Sequence, residues 1–391
     1  MLAVTLENVR ADQETRARRL RGRMVDKLVA DGLPLDPGWR AAFEAVPRHA
    51  FLPWLFEQQR DGGWRLVTEA DESWLPAVYR NRVAITQLDG DESLRRLAVD
   101  GPVRGTPTCS SSEPAIMAIM LAALEVRDGD TVLEIGAGTG YNAALLSHRL
   151  GDDHVTTVDV DPAIAARAAK HLAAVGFHPT CVATDGALGY PANAPYDRVL
   201  GTCSVSTIPL AWLAQTAPGG HIVTTLNRQI GAGLVKLTPD GTGRATGRVL
   251  AEDGRFMPLR AHRGPRVTDL VDQVRGSQAP ARLTELTATR LLRPADRFEF
   301  FAGLSLPHVV AWSDTHGDTW LAHPDGSWAR YSRHSVAQGG PRRLWDIAEQ
   351  AHAEWHALGR PPRERFGLTV GPQGQEFWLD SPDSPDRWPL D

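Results

Sequence analysis

The sequence contains little cysteine and very little lysine. Its three cysteines, Cys109, Cys181 and Cys203, are odd in number and far apart, and none belongs to a C-x-x-C pair. This pattern predicts neither a disulfide framework nor a zinc site, which fits a reducing cytoplasm. Almost all positive charge comes from arginine, which we attribute to GC-rich codon usage and not to function.

Long apolar runs and an excess of positive charge are also missing. No run reaches the ~18 residues that a membrane span requires, so we expect no membrane partner. Residues 1–8 have neither a basic nor an apolar region, so we expect no signal peptide and a cytoplasmic location. The net charge of -5 argues against nucleic acid as a partner. The order of His352-Ala-Glu354-Trp-His356 is wrong for the zinc helix H-E-x-x-H, and we expect no metal.

The chain of 391 residues is long enough for two or three domains. Between about residues 115 and 228, β-like runs alternate with helical patterns, which predicts an α/β fold with a doubly wound, Rossmann-like parallel sheet. We divide the chain into an N-terminal helical and irregular substrate-cleft segment (1–107), this sheet domain (108–228) and a mixed α+β domain (229–391). The last is rich in tryptophan and is a candidate for peptide recognition. From Ser381 we expect loose order.

The most informative pattern is a glycine-rich turn. A short apolar run ends at Glu134 and is followed by Gly136, Gly138 and Gly140, and then by a helical pattern. Glycines at such a turn allow positive φ and let the backbone approach a ligand closely. The spacing E-x-G-x-G-x-G differs from the dinucleotide fingerprint G-x-G-x-x-G. It resembles the first motif of S-adenosylmethionine-dependent methyltransferases.

Two spaced acids support this resemblance. Asp159, followed by Val160, ends the next β-like run, where a carboxylate can accept hydrogen bonds from both ribose hydroxyls. Asp185-Gly186 follows a third run and suits an adenine contact, and Thr202 follows at a later strand end on the same side of the sheet. The resemblance implies S-adenosyl-L-methionine as the cofactor and S-adenosyl-L-homocysteine as the product.

Two upstream segments indicate the methyl acceptor. Val46-Pro-Arg-His-Ala-Phe-Leu-Pro53 resembles the R-x-x-F-V-P element of protein-L-isoaspartate O-methyltransferases, and Ser110-Ser-Ser-Glu-Pro114 lies where that family has T-x-S-x-P. With the glycine turn and the spaced acids, the resemblance covers roughly residues 40–228. We expect Ser110 and Ser112 at the start of a helix, where hydroxyls and the helix dipole favour an anionic substrate. For Ser112, a simple N-cap role stays open. The chain departs from the family in Ser110 and Glu113.

Further segments resemble a subgroup. The segments Trp74–Arg80, Thr86–Gly90 and Pro107–Pro114 look like those of methyltransferases encoded beside ATP-grasp ligases in graspetide biosynthesis. So does a C-terminal domain, which we expect repair enzymes to lack. The resemblance implies a precursor peptide, already crosslinked by an ATP-grasp ligase, as the partner and substrate. An Asp carboxylate of that peptide would be methylated and would then close to an aspartimide.

Other readings stay open at this point. A general isoaspartyl repair enzyme would act on many damaged peptides. A tailoring enzyme of lanthipeptide or lasso-peptide pathways would carry similar motifs. A non-catalytic peptide-binding module belongs to a different class, and the intact glycine turn and both acids argue against it.

Overall fold

The computed structural model describes residues 2–390, and for residues 2–10 it describes the backbone alone. The chain forms two compact units. The first contains the residues up to Thr202 together with Gln215–Val223, and the second contains Cys203–Ala214 and the residues from Thr224 onward. The first unit therefore contains the predicted segment 1–107 and most of the predicted segment 108–228.

Helices and short strands build the first unit. Its helices are α1 (Leu2–Ala30), α2 (Pro37–Ala45), α3 (Trp74–Val78), α4 (Glu92–Leu97), α5 (Pro114–Leu124), α6 (Tyr141–Leu150) and α7 (Pro162–Ala174). Its strands are β1 (Trp54–Gln58), β2 (Trp64–Thr68), β3 (Ala84–Leu88), β4 (Pro107–Ser111), β5 (Val132–Ile135), β6 (Val155–Asp159) and β7 (Thr180–Ala183). The next elements, β8 (Tyr196–Val205), α8 (Leu210–Gln215) and β9 (Thr216–Leu226), contain the boundaries between the units.

The central sheet has the order β9-β8-β5-β6-β7, and β5 pairs in parallel with both β6 and β8. All four residues of β5 are buried, as expected for a strand covered on both faces. The chain runs outward from β5 to β7 and then returns to the other side of β5. This confirms the predicted doubly wound sheet and places its topological switch point between the carboxyl ends of β5 and β8.

Local signals explain where the flanking helices begin. Asp161 accepts a hydrogen bond from the backbone N–H of Ala163 at 2.9 Å, and Pro162 occupies the first turn of α7. Gly140, with φ of 88°, precedes α6, whose first seven residues are buried. The helices that the sequence predicts at 39–46, 115–124 and 162–175 are observed with ends shifted by at most two residues.

A second, antiparallel sheet in the first unit has the order β2-β1-β3-β4. It lies within residues 54–111, which include the region 60–107 for which the sequence predicts short strands and loops. In its register, Ile85 of β3 faces Ser110 of β4. This pairing places Ser110 in a strand, not at the helix start that we expected.

The second unit contains helices and antiparallel strands. Its helices are α9 (Val267–Val274), α10 (Ala288–Leu292), α11 (Arg297–Ser305) and α12 (Leu344–Ala357). Its strands are β10 (Leu234–Pro239), β11 (Ala245–Val249), β12 (Arg282–Leu283), β13 (Val310–Ser313), β14 (Thr319–Ala322), β15 (Trp328–Ser332), β16 (Ser335–Gly339), β17 (Phe366–Gly371), β18 (Gly374–Leu379) and β19 (Arg387–Pro389). The hairpins predicted around 309–331 and 366–379 are present.

Two runs of neighbouring strands organise this unit. One run is β10-β11-β17-β18-β19, and the other is the five-stranded sheet β12-β16-β15-β14-β13. β19 pairs with β18, and Trp388 and Leu390 are buried. The expectation of loose order from Ser381 is therefore wrong, because an apolar side chain in every second position fastens this end to the sheet.

Within residues 2–390, no helix is long and apolar enough to cross a membrane. The same residues bring together no group of three or more His, Cys, Asp or Glu side chains that could hold a metal ion.

Candidate active site

The glycine turn lies directly behind β5. The backbone N–H groups of Gly136 and Ala137 both donate to the C=O of Val158, at 2.8 and 2.9 Å. Gly136, Gly138 and Gly140 have φ values of 104°, 52° and 88°. These values lie in the left-handed region, which side chains disfavour, so the turn requires glycine at each position.

Neighbouring elements also leave no room for side chains on this turn. A Cβ atom on Gly136 would lie 2.9 Å from Oγ1 of Thr202, and one on Gly138 would lie 3.2 Å from the C=O oxygen of Ser110. A Cβ on Gly140 would lie 3.1 Å from the C=O oxygen of Ala168. Strands β8 and β4 and helix α7 therefore approach the bare backbone of the turn.

Asp159 joins the end of β6 to the turn. One carboxylate oxygen accepts a hydrogen bond from the N–H of Gly138 at 3.1 Å, and the other accepts from the N–H of Asp161 at 3.0 Å. Both Asp159 and the following Val160 are half-buried. Because each carboxylate oxygen can accept more than one hydrogen bond, Asp159 retains the capacity to bind hydroxyl groups beside the turn.

Glu134 has a different environment. Its side chain is fully buried, and its two oxygens accept hydrogen bonds from Nδ2 of Asn142 at 2.8 Å and from Oγ1 of Thr157 at 2.6 Å. Burial raises the pKa of Glu134 to about 7, although both hydrogen bonds act in the opposite direction. Glu134 thus supports the turn from inside the protein, which the sequence pattern did not reveal.

The other candidate cofactor residues lie at neighbouring strand ends. The Thr202 hydroxyl lies 3.0 Å from the C=O oxygen of Ile135 and 2.7 Å from that of Gly136, so it ties β8 to the turn. Asp185 accepts a hydrogen bond from the N–H of Ala187 at 3.0 Å and caps a short 3₁₀ helix that begins at Gly186. Their contacts with adenine or methionyl groups stay predictions.

The structure corrects the setting of Ser110 and Ser112. Ser110 belongs to β4, and the N-cap residue of α5 is Glu113, whose side chain makes no capping hydrogen bond. The N–H of Ala115 at the start of α5 instead donates to Oδ1 of Asn81 at 2.9 Å. Ser112 is therefore not the N-cap, while the backbone of Ser110 lies next to the glycine turn.

Arg48 is a buried charged residue that joins several segments of the chain. Its buried guanidinium donates hydrogen bonds to the C=O groups of Val78, Arg80, Arg82 and Ser112. Burial lowers the pKa of Arg48 to about 10, so the group stays charged at neutral pH. The R-x-x-F-V-P motif marked this position, but its four partners are distant in sequence.

The comparisons with known proteins agree with this geometry. The family model described as Protein-L-isoaspartate(D-aspartate) O-methyltransferase (PCMT) matches residues 98–263. A Protein-L-isoaspartate O-methyltransferase of Methanosarcina mazei is 30% identical over 267 residues, which cover 67% of this chain and 94% of that relative. The chain belongs to the protein-L-isoaspartate O-methyltransferase family. It is an S-adenosylmethionine-dependent carboxyl O-methyltransferase.

Two further matches extend the comparison. Protein-L-isoaspartate O-methyltransferase 1 of Rhodopseudomonas palustris (strain HaA2) is 33% identical to this methyltransferase, over 65% of this chain and 88% of the relative. A solved structure titled protein-L-isoaspartate O-methyltransferase has a TM-score of 0.53 and 22% identity, and covers 92% of this chain and 100% of that chain. Because the match covers 92% of this chain, the shared fold extends beyond residue 228.

The residues of the turn fit the cofactor. The three glycines leave a backbone surface without side chains, and Asp159 offers carboxylate oxygens beside it. Glu134 in β5 and Thr202 in β8 support the turn through their hydrogen bonds. Val160, Asp185 and Gly186 follow the neighbouring strands β6 and β7. The bound cofactor supplies a sulfonium methyl group as the electrophile. Methyl transfer would require an acceptor carboxylate held in line with that methyl group.

We expect Asp159→Ala to weaken cofactor binding by ~1–3 kcal/mol, because hydrogen bonds from ribose hydroxyls to the carboxylate are lost. Isothermal titration with S-adenosyl-L-homocysteine measures this change. The control is Asp153→Ala, an exposed acid that precedes the same strand. Equal affinity in wild type and Asp159→Ala would show that the ribose assignment is wrong.

Glu134 predicts a pH-dependent stability. The folded methyltransferase keeps this carboxyl protonated up to a pKa of about 7, whereas the unfolded chain ionises it near 4.5. The free energy of unfolding therefore falls as pH rises through this interval, by about 3 kcal/mol. We expect Glu134→Gln to lack this component in urea unfolding at pH 5 and pH 8. Parallel curves for wild type and variant would contradict the assignment.

Proposed function

We propose that this methyltransferase acts on an Asp side-chain carboxylate of a crosslinked ribosomal peptide, a graspetide, and that the ester then closes to an aspartimide. An ATP-grasp ligase acting earlier in the cytoplasm would supply the crosslinked substrate. The closing step joins the next backbone nitrogen to the ester carbonyl and releases methanol, with the amide proton leaving on the methoxy group. A five-membered ring forms, so closure has a small entropic cost.

The chemistry requires orientation more than acid–base catalysis. A carboxylate with a pKa near ~4 is ionised at neutral pH, so it needs no strong base to become a nucleophile. Ser110 and Ser112 are the groups that we propose to hold it, through hydroxyl donors on the half-buried segment beside Gly138. Exclusion of water from this segment would favour attack of the carboxylate on the methyl group over attack by water.

The observation that carries the proposal is the meeting of the three graspetide-like segments. Strand β3, with most of segment Thr86–Gly90, pairs with β4 of segment Pro107–Pro114. The N–H of Gly90 donates to Oγ1 of Thr108 at 2.8 Å, and that hydroxyl donates to Oε1 of Gln87 at 2.9 Å. Two of the three segments thus form one wall beside Ser110.

Arg48 attaches the third segment, Trp74–Arg80, to the same wall. Its guanidinium binds the C=O groups of Val78 and Arg80 and also that of Ser112. The residues on which the resemblance to the subgroup rests are therefore adjacent to the segment that we propose to bind the acceptor. A change of acceptor within one family would be expected to change these residues first.

We expect Ser110→Ala to lower turnover by about tenfold while cofactor affinity stays the same, because one hydrogen bond to a carboxylate is lost. The matched control is Ser111→Ala. Its hydroxyl is buried, has no hydrogen-bond partner among the described residues, and points to the other face of the strand. Equal turnover in wild type and Ser110→Ala would remove Ser110 from the acceptor site.

Mass spectrometry of the precursor peptide encoded beside this protein tests the function. The crosslinked and uncrosslinked peptides are incubated with the protein and S-adenosylmethionine. We expect only the crosslinked form to gain the mass of one methylene group and then to end one water lighter than it began. Methylation of a generic isoaspartyl peptide instead would overturn the graspetide proposal.

General isoaspartyl repair is the second candidate, and one specific observation favours it. The relatives with more than 85% of their length covered are named protein-L-isoaspartate O-methyltransferases. In a repair reaction the same wall would receive the displaced carboxylate of an isoaspartyl residue. Tailoring of lanthipeptides or lasso peptides is distinguished by the gene beside this one, and a silent binding module by absence of any methylation.

A further inference from the structure

A cleft of about 220 Å³ lies within the second unit, and none of its lining residues has been assigned a role so far. Its lining includes Ser204, Asn227, Arg228, Gln229, Arg255 and Phe256. The guanidinium of Arg255 donates to Oε1 of the buried Glu299 at 2.8 Å and to the C=O of Gln229 at 3.1 Å. One wall of the cleft is therefore a cation in a fixed position.

An open strand edge adjoins this cleft. β13 is the last strand of its five-stranded sheet, and its Ala311 faces Leu321 of β14. The N–H of Ala311 donates to Oε1 of Gln229 at 3.4 Å, so it points away from β14. In an antiparallel strand, the N–H and C=O of one residue point to the same side, and an edge with such groups can receive another strand.

Two tryptophans provide an apolar surface on this sheet. The rings of Trp312 and Trp320 are stacked, with centroids 6.1 Å apart and planes 5° from parallel. Both are only partly buried, whereas Trp328, which follows in the row, belongs to the core below α9. The guanidinium of Arg330 lies 5.5 Å from the ring centroid of Trp320. Apolar side chains of an added strand could pack on the exposed part of this row.

The charge beside the cleft is positive, although the whole chain carries a net charge of -5. Residues 255–266 contain four arginines and no acid. The C=O of His262 accepts a hydrogen bond from Nδ2 of Asn227 at 2.7 Å, which ties this run to the cleft lining. Arg263 and Arg266 are exposed. The acids nearest to the cleft, Asp253 and Glu299, are already paired with arginines.

We propose that the second unit binds an acidic, extended segment of the methyl-accepting peptide, as an added strand on β13 that continues along the arginine-lined cleft. This inference rests on the proposed function for the identity of the peptide. The added strand would replace the side chain of Gln229 as the acceptor for the N–H of Ala311, and this main-chain hydrogen bond would give the strand its register. The exposed Arg263 and Arg266 would select for acidic side chains and accelerate association. Asn227 and Gln229 would bind main-chain groups in the cleft.

The test uses the full-length protein and the fluorescein-labelled, crosslinked precursor peptide. Fluorescence anisotropy gives Kd, and methylation kinetics give kcat and KM. We expect the double variant Arg263→Glu/Arg266→Glu to raise Kd and KM by about tenfold at low salt, with kcat unchanged at saturation. The effect should shrink as salt is added, because these charges are exposed to solvent.

Ala311→Pro tests the strand edge, because proline removes the N–H and is tolerated on an edge strand. We expect a severalfold higher Kd in Ala311→Pro and no change in Ala311→Gly, which keeps the N–H. The control for charge is Arg18→Glu/Arg19→Glu, an exposed pair on α1. An unchanged Kd in the cleft variants, or an equal loss in the α1 control, would overturn the inference. If Ala311→Pro fails to fold, the arginine pair decides.

The two proposals fail in distinguishable ways. If the wild-type protein methylates no crosslinked peptide, the proposed function fails, whatever the anisotropy shows. If the peptide is methylated and its KM does not respond to the cleft variants, the proposed function stands and the peptide-binding role of the second unit is refuted.

Discussion

Gly136→Ala is expected to lower the affinity for S-adenosyl-L-homocysteine by about a hundredfold, which is close to 3 kcal/mol. Gly136 has a φ of 104°, a conformation in which a side chain is strained by ~1–3 kcal/mol. A Cβ atom there would also lie 2.9 Å from Oγ1 of Thr202, which holds β8 against the turn. The backbone of the turn must therefore shift, and this changes the surface on which the cofactor would bind. Isothermal titration measures the loss.

Gly129→Ala is the matched control for this experiment. Gly129 has a φ of 89°, but a Cβ atom on it would meet nothing within 4 Å. The control therefore has the backbone strain without the collision, and should lose stability but bind the cofactor normally. If both variants bind equally well, the close approach of Thr202 does not shape the cofactor site.

Arg48→Lys is expected to lower the free energy of unfolding by about 3–5 kcal/mol, with a fall in turnover. Arginine reaches four C=O groups from a planar fork, whereas the lysine ammonium has three donors on one atom. Each C=O group left without a partner in the interior costs ~1–3 kcal/mol. Since one of the four belongs to Ser112, the segment that we propose to hold the acceptor should also lose its position.

Urea unfolding and steady-state kinetics measure the two effects of Arg48→Lys. Arg104→Lys is the control, because Arg104 is exposed and donates a single hydrogen bond to the C=O of Asp61. Its effect should stay within ~0.5 kcal/mol, as for most surface changes. A loss in Arg48→Lys no larger than in the control would mean that the buried guanidinium does not hold these segments together.

The glycine turn and the acid at the end of β6 could be located from the sequence because their signals are local. Residues 134–159 contain both, and parallel sheets impose their spacing. The acceptor side could be predicted only as a resemblance. Ser110 was assigned to a helix start because a serine run before Glu113-Pro114 is typical of one. Its strand partner, Ile85, lies 25 residues earlier and gives no local signal.

Long-range partners also explain the other omissions. Arg48 stands in a motif that was noticed, yet its C=O partners lie 30 to 64 residues away, and no periodicity predicts such contacts. The motif predicts that Glu134 binds the cofactor, and this stays a prediction. Its hydrogen bonds with Asn142 and Thr157 have no signal in the sequence. Helix α11 was missed, although Asp296 accepts a hydrogen bond from the N–H of Phe298 and marks its start.

The boundaries within β8, α8 and β9 limit how this chain can be shortened or assembled from separate genes. Residues 203–214 belong to the second unit, where the side chain of Gln375 exchanges two hydrogen bonds with the backbone of Ile208. A stop codon after residue 228 would remove Gln375 and would leave residues 203–214 without these partners. A truncated protein of independent stability would therefore need changes within residues 203–214 as well as at the new end of the chain.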